Sequence, residues 1–434
     1  MKEYPYWWDT IPKSEIGPQK PEAGSQRPEV PNRADVVVVG AGYTGLSAAR
    51  RLAMSGASVV VIERERVGWG ASSRNGGQVL TGLKLDPGTL VQRYGQRRAR
   101  ALFDSAGRSV AHLEAVIAAD AIDCDYERTG HIQAAWKRSH FDAFRVEQQL
   151  LAGVFGHHVD LLSRSEQRAE IATDAYHGVL IDAKSGALNP ARYAEGLGRA
   201  AESRGARIVT GVAVEGIDRA GARWRVVTSA GDVDARDVVV ATDGYSDRAS
   251  GALQRRLIPI GSYVIATEPQ PAELAAALLP NRRVAFDSKN FLYYFRVTDD
   301  HRVVFGGRAE FSTPTAATTR RAAETLRRGM TRVFPQLESA AVEYAWSGTV
   351  AFSRDRMPHA GQLDGMYVAS GYCGHGIAMA TWLGDIVGRL AAGGQVDDPM
   401  VTLKNPFPRI PLYSGVPWFL PAVGAYYKVM DWLR

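Results

Sequence analysis

A chain of 434 residues exceeds what one hydrophobic core normally fills, so two domains are expected. With 45% apolar and 23% charged residues it falls among ordinary globular proteins, which excludes a disordered or fibrous chain. The charge of +6 comes from dispersed basic residues, and the clusters at Arg97, Arg98 and Arg100 and at Arg320 and Arg321 lie in helix-like stretches, so no nucleic-acid partner is expected.

In chain order, residues 1–33 read as an extended arm pinned by Tyr6, Trp7 and Trp8. Val36 to Val39 then form a β-branched run suited to a strand buried on both faces. A glycine turn follows, and from Thr44 to Ser55 the residues Leu46, Ala49, Leu52 and Ala53 share a helical face that Gly56 terminates. Ser58 to Ile62 is a second β-branched run, closing a βαβ unit of about 30 residues.

Further along, a helix is expected over Pro190 to Ser203, followed by strands at Arg207 to Thr210, Trp224 to Thr228 and Val238 to Ala241. Between Leu257 and Gly307 the alternating, aromatic runs at Tyr263 to Ala266, Phe291 to Phe295 and Arg302 to Phe305 predict an antiparallel sheet. Met366 to Ala369 reads as a strand entering a glycine-rich turn at 371–376. A helix follows with Ala380, Leu383, Val387 and Leu390 at helical spacing.

The fold expected is α/β: a Rossmann-like layer over 34–90, 150–250 and 345–400, with a second domain on an antiparallel sheet over 91–149 and 251–344. Residues 401–434 are expected to pack on the body as a tail. The uncharged run from Arg409 to Lys428 is interrupted by Pro411, Pro417, Pro421, Gly415 and Gly424, so a spanning helix is not expected; packing is favoured over peripheral membrane contact. Cys124 and Cys373 lie far apart without metal-type spacing, and Met1 to Thr10 lacks the apolar core of a signal peptide, so a cytoplasmic protein is expected. The adjacent His157 and His158 have no cluster of acidic or thiol ligands and are assigned surface or loop duty, with no metal site.

The chemistry begins at Gly40, Gly42, Tyr43, Thr44 and Gly45, a GxGxxG between strand and helix. Gly40 permits the tight turn, Gly42 the approach of a pyrophosphate and Gly45 close helix–strand packing. The phosphates would meet the helix N-terminus. Glu63, at the end of the second strand, would accept from the ribose hydroxyls, with Arg64 beside it. Nicotinamide and flavin dinucleotides share this pattern. A second small-residue loop distinguishes them: Gly70, Ala71, Ser72, Arg74, Asn75, Gly76, Gly77 and Gln78 would let backbone pass close to a bulky flat ring, which points to FAD.

These motifs, followed by ATDGY at 241–245 and GYCGHG at 371–376, resemble the D-amino-acid oxidase superfamily of flavoproteins, in particular its gamma-glutamylputrescine oxidoreductase-like amine oxidases. The likeness runs from about Trp7 to the C-terminus and takes in Leu257 to Pro269 and Trp346 to Pro358. It implies an FAD enzyme acting on a carbon–nitrogen bond, with the flavin at the junction of two domains. It further implies cofactor contacts at Val214, Ala241, Thr242 and Gly244, and a turn of Gly374, His375, Gly376 and Ile377 at the pyrimidine edge of the flavin.

Two departures from relatives shape the expectation. The position of the sarcosine-oxidase tethering cysteine is Gly348 here, and residues 67–78 contain no histidine, so the flavin is expected to be non-covalent. The arginine that clasps an α-carboxylate in amino-acid oxidases is Val350, with Arg296 or Arg308 as substitutes from the sheet. The expected substrate is therefore a small polyamine-derived or N-substituted amine, with dioxygen as acceptor giving peroxide. His375, Tyr263 and Trp346 are the candidate catalytic residues. The alternative is an amino-acid dehydrogenase or oxidase (D-amino acid, glycine or sarcosine type) delivering electrons to a quinone or protein acceptor, with Pro411 to Trp432 as the docking surface. A flavin-bound protein without turnover is the reading from another class.

Overall fold

The β-branched run after Arg33 has no polar side to offer water, and in the computed structural model of the chain it is buried on both faces. The structure describes residues 1–12, 28–307, 314–402, 407–420 and 422–426. Strand Arg33–Val39 sends Val36 and Val38 into a core shared with helices, and Val37 and Val39 into a second core behind the sheet, because successive side chains alternate. It pairs in parallel with Val59–Glu63 on one side and with Gly231–Val240 on the other. Arg207–Thr210 and Met366–Ser370 continue the parallel order outward. The hairpin of Val214–Ala220 and Arg223–Thr228 folds antiparallel onto Gly231–Val240, and His359–Leu363 with Val401–Thr402 forms the far edge. Among the described residues this sheet has nine strands.

Helices Tyr43–Met54, Pro87–Ala119, Pro190–Glu202 and Gly376–Ala391 cover the face bearing Val36. The first and last of these touch backbone to backbone. A Cβ on Gly384 would lie 2.4 Å from the Thr44 carbonyl oxygen, and one on Gly388 would lie 2.9 Å from that of Ala48.

The second sheet has eight strands among the described residues, in the order Val342–Ser353, Leu257–Thr267, Val303–Gly307, Tyr293–Val297, Val284–Asp287, His131–Ala134, Gly178–Asp182 and Asp160–Ser163. Its neighbours are antiparallel except where Val284–Asp287 meets His131–Ala134. Tyr263, Ile265, Phe295 and Phe305 pack on helix Ala316–Val333 behind it. The N-terminal arm is anchored by Tyr6 and Trp7, buried against Val264, Tyr344 and Trp346.

The segment boundaries differ from expectation in three places. Asp160–Ser163 and Gly178–Asp182, expected in the cofactor layer, belong to the second sheet. Val342–Ser353 runs unbroken through the expected junction at 345, paired along its length with Leu257–Thr267. Helix Pro87–Ala119, expected in the second domain from residue 91 onward, instead joins the core of the cofactor layer through Leu102, Ala106 and Leu113. Short strands of four or five residues do not advertise a sheet; non-local pairing decides it. No described helix is long and apolar enough to cross a membrane.

Candidate functional site

At the carboxyl ends of Arg33–Val39, Val59–Glu63 and Gly231–Val240 the chain turns away, leaving a crevice outside the sheet where the strand order reverses. Gly40 takes a φ of +100°, open to glycine at little cost. A Cβ on Gly45 would sit 1.9 Å from the Gly40 carbonyl oxygen, so only glycine lets the helix start this close to the strand. Gly42 precedes that helix and supplies no side-chain cap, and the Tyr43 N–H donates to Ser72 Oγ at 3.0 Å. Glu63 accepts from the N–H groups of Ala41 at 2.8 Å and Glu65 at 2.9 Å. Burial raises its pKa above the ordinary carboxylate value, against those two bonds.

The second loop is clamped from several directions. Arg74 donates to the carbonyls of Trp69 at 2.8 Å and Ser347 at 3.0 Å, and lies over the Trp8 and Trp69 rings. The indole N–H groups of Trp7, Trp8 and Trp346 donate to Asn75 O, Ser73 Oγ and Arg74 O. Asn75 closes the loop on itself, bonding Ala71 O, Ser72 O and the Gly77 N–H. Three indoles from two pieces of chain thus hold the small-residue loop in place.

The late glycine turn is tied to ATDGY through Asp243, whose carboxylate accepts from Ser370 Oγ and from the Gly371 N–H at 2.9 Å. Asp243 itself has a φ of +39°, and burial raises its pKa above the ordinary carboxylate value. Gly371, Cys373 and Gly374 all have positive φ, after which His375 stands at the N-cap of Gly376–Ala391 without a side-chain cap. Tyr372 Oη meets Thr44 Oγ1 at 2.6 Å, joining the two helix N-termini. Cys373 lines the cavity but its thiol donates to Gly371 O, and burial pushes it up to about 11.

One cavity gathers most of the residues expected at the cofactor. It is lined by Gly40, Gly42, Tyr43, Thr44, Glu63 and Arg64; by Gly70, Ala71, Ser72, Arg74, Asn75, Gly76 and Gln78; by Val214, Ala241 and Thr242; and by Gly374, His375, Gly376 and Ile377. Gly45, Gly77 and Gly244 lie behind the lining: Gly45 against Gly40, Gly77 against Leu188 O, and Gly244 against Thr349. From the second sheet come Ser262, Phe286, Tyr294, Gly348, Thr349 and Val350, with Leu292 just before its strand Tyr293–Val297 and Leu80 and Lys84 from the segment after the loop.

The donor set fits a flavin dinucleotide. Two helix N-termini without side-chain caps border the cavity, where their positive ends suit an anionic ligand, and glycines form part of its wall.

Three expectations fail here for stated reasons. Tyr263 is buried in the core behind the second sheet, because its neighbour Ser262 takes the cavity-facing position of the strand. Trp346 is buried with the N-terminal arm, and its N–H is engaged by Arg74 O, so it holds the loop rather than walling a pocket. Arg296 does not reach the cavity: it donates to the carbonyls of Leu188 at 2.8 Å and Gly77 at 3.3 Å. Arg308 lies outside the described residues. His157 and His158, assigned surface or loop duty, lie in a loop, where His157 is buried with Nε2 2.7 Å from Asp182 and His158 is exposed. Asp243, Tyr294 and Lys84 were not singled out in sequence. Alternation along Leu292 to Phe295 could have flagged Tyr294, and nothing local could have flagged Lys84.

Comparison with known proteins agrees with this geometry. Residues 35–390 match the family described as DAO, FAD dependent oxidoreductase. Over 406 residues the chain is 32% identical to gamma-glutamylputrescine oxidoreductase of Escherichia coli strain K12, covering 92% of each. Over 409 residues it is 30% identical to the probable oxidoreductase OrdL of Haemophilus influenzae, covering 92% of this chain and 93% of that protein. The fold is similar to that of glycine oxidase from Geobacillus kaustophilus, with a TM-score of 0.74 and 22% identity over 85% of this chain and 97% of that one. The chain therefore belongs to the DAO family of FAD-dependent oxidoreductases, and is an enzyme whose cofactor is FAD.

Proposed function

We propose that this enzyme oxidises the carbon–nitrogen bond of a small amine that has no carboxylate on the reacting carbon, such as a polyamine derivative or an N-substituted amine, with dioxygen as acceptor. The observation that carries this reading is the lining of the cavity on its second-sheet side, which is Ser262, Phe286, Leu292, Tyr294, Thr349 and Val350. Val350 stands where amino-acid oxidases of the superfamily place a clasping arginine, and Arg74 is committed to two backbone carbonyls. The relative named gamma-glutamylputrescine oxidoreductase supports a polyamine-derived substrate.

When bound, FAD supplies a two-electron acceptor for the hydride leaving the amine carbon, and its reoxidation yields peroxide. The chain's own groups bind and orient. Ser262 Oγ and Tyr294 Oη, 3.2 Å apart, offer hydroxyls to the amine nitrogen. Phe286, Leu292 and Val350 exclude water from the same region. The Gly376–Ala391 helix turns its positive end toward the cavity, where it stabilises negative charge. Lys84, among the lining residues, supplies a cation for a remote anionic group of the amine. The imine released hydrolyses to an aldehyde and a smaller amine or ammonia.

The flavin is held without a covalent bond on this reading. Position 348 is glycine, where a Cβ would already lie 3.2 Å from Arg74 Cβ, and the Cys373 thiol is protonated and engaged. Acid precipitation should release all yellow colour into the supernatant.

The decisive experiment is anaerobic mixing of the holoenzyme with polyamines, N-acylated polyamines, N-methyl amines and α-amino acids, followed by a peroxide assay in air. Amines should bleach the flavin and α-amino acids should not. Bleaching by α-amino acids alone, or turnover that gives no peroxide, would overturn the substrate or acceptor assignment respectively.

A further inference from the structure

Seven large apolar side chains stand exposed among the described residues, and four of them, Leu412, Val416, Trp418 and Tyr426, fall within one short stretch near the C-terminus. Leu412 is fully exposed and Trp418 is 77% exposed. The stretch is nevertheless anchored on its inner side. Leu420 and Phe419 pack on Ile260, Phe352 and Cys373, and Gly415 lies against Gln254. Tyr413 is buried with its ring 5.9 Å from Phe419. An anchored segment that presents Leu, Val and Trp outward is an unpartnered apolar face, not a loose end.

Its surroundings are rich in exposed arginine. Arg354 donates to the Arg409 carbonyl at 3.2 Å, and Arg256, beneath the surface, feels the single carboxylate of Asp364 on one side and both Arg409 and Arg255 on the other. Arg255, Arg354 and Arg409 are exposed, and none has a carboxylate partner among the described residues. Apolar side chains including a tryptophan, rimmed by unpaired arginines, match the chemistry of a bilayer interface bearing anionic lipid. A second copy of the chain fits poorly, because a two-fold contact would set the same arginines against one another.

We propose that this face docks on an anionic lipid surface, with Leu412, Val416 and Trp418 entering the boundary between headgroups and acyl chains and Arg255, Arg354 and Arg409 meeting lipid phosphates. The docked segment is separated from the cavity by one layer of side chains, since Cys373 touches both Leu420 and the cavity.

Co-sedimentation of the full-length holoenzyme with vesicles tests this. Binding is expected to phosphatidylcholine vesicles containing phosphatidylglycerol, to weaken as salt is raised, and to be at least about tenfold weaker with phosphatidylcholine alone. Leu412→Ser with Trp418→Ser should lower the partition coefficient about tenfold or more, with flavin content and turnover unchanged. Arg354→Gln with Arg409→Gln, which leaves the apolar residues in place, should remove the preference for anionic vesicles. Absence of binding to anionic vesicles, or binding that neither pair of substitutions alters, would overturn the proposal. So would a concentration-dependent dimer, measured without lipid by sedimentation, that Trp418→Ser abolishes.

Discussion

Gly42 and Gly45 sit three residues apart and do different work, which their substitutions should separate. A Cβ on Gly42 would lie 3.0 Å from Ser72 Oγ, in the space a pyrophosphate needs, whereas one on Gly45 would run into the Gly40 carbonyl at 1.9 Å. Gly42→Val is expected to weaken FAD binding by about 2 kcal/mol or more, roughly thirtyfold, while the apoprotein melts as before. Gly45→Val should lower the melting temperature of the apoprotein itself; calorimetry with and without FAD distinguishes the two. A different residue-scale effect belongs to His131, which is buried with Nδ1 2.7 Å from Ser185 Oγ and its ring stacked on Phe286, a cavity residue. Burial, with His157 and Arg283 adding and Asp182 opposing, lowers His131 from 6.5 to about 4. The folded state thus favours the neutral ring, so the stabilisation is present above pH 6.5 and is lost as pH falls toward 4. The full loss is about 3 kcal/mol. Other groups titrate in the same window, and burial raises Asp287 to about 6, which acts in the opposite direction. The difference between wild type and His131→Gln isolates the histidine: it should shrink steadily from pH 7 to pH 4 in urea titrations, and a pH-independent difference would refute the linkage.

At the scale of elements, the N-terminal arm has no chemistry of its own yet reaches the cofactor loop. Trp7 is 2% exposed, and its N–H holds Asn75 O, while Trp8 holds Ser73 Oγ. Two of the three indole contacts on that loop therefore come from a five-residue turn, Tyr6–Thr10. Trp7→Ala should cost about 3–5 kcal/mol of local packing and raise the dissociation constant of FAD, with turnover at saturating FAD little changed. Titration of the apoenzyme with FAD checks this; unchanged affinity would mean that the loop holds its form without the arm. The same logic explains Arg296. A buried guanidinium committed to the carbonyls of Gly77 and Leu188 fixes the end of the loop, and burial lowers it to about 10.

The whole molecule closes one cavity with residues from both large sheets, so cofactor and fold stabilise each other. FAD at a hundred times its dissociation constant adds about 2.7 kcal/mol to stability. Because Gly40 and Glu63 come from one sheet while Ser262 and Tyr294 come with the other, the gain should appear in the unfolding of both. Scanning calorimetry of the holoenzyme is expected to show one transition above that of the apoenzyme. A holoenzyme in which only one of two transitions moves with FAD would show that a single sheet carries the binding.

The cofactor layer was legible in the amino-acid sequence because its causes are local. The run Val36 to Val39, the positive φ at Gly40, the clearance demanded at Gly45 and the apolar spacing of the first helix are all set by neighbours in the chain. The glycine turn before Gly376–Ala391 was visible for the same reason. Alternation showed that Leu257–Thr267 has two faces but not which faces the cavity; packing on Ala316–Val333 turned Tyr263 inward and left Ser262 to the site. Likewise, only tertiary structure assigned Gly178–Asp182 to the second sheet, engaged Trp346 with Arg74 O, and brought Lys84 to the lining. Local sterics and periodicity act within a few residues and can be read along the chain. The side of a strand that meets a ligand depends on partners far along the chain, and is decided only when they pack.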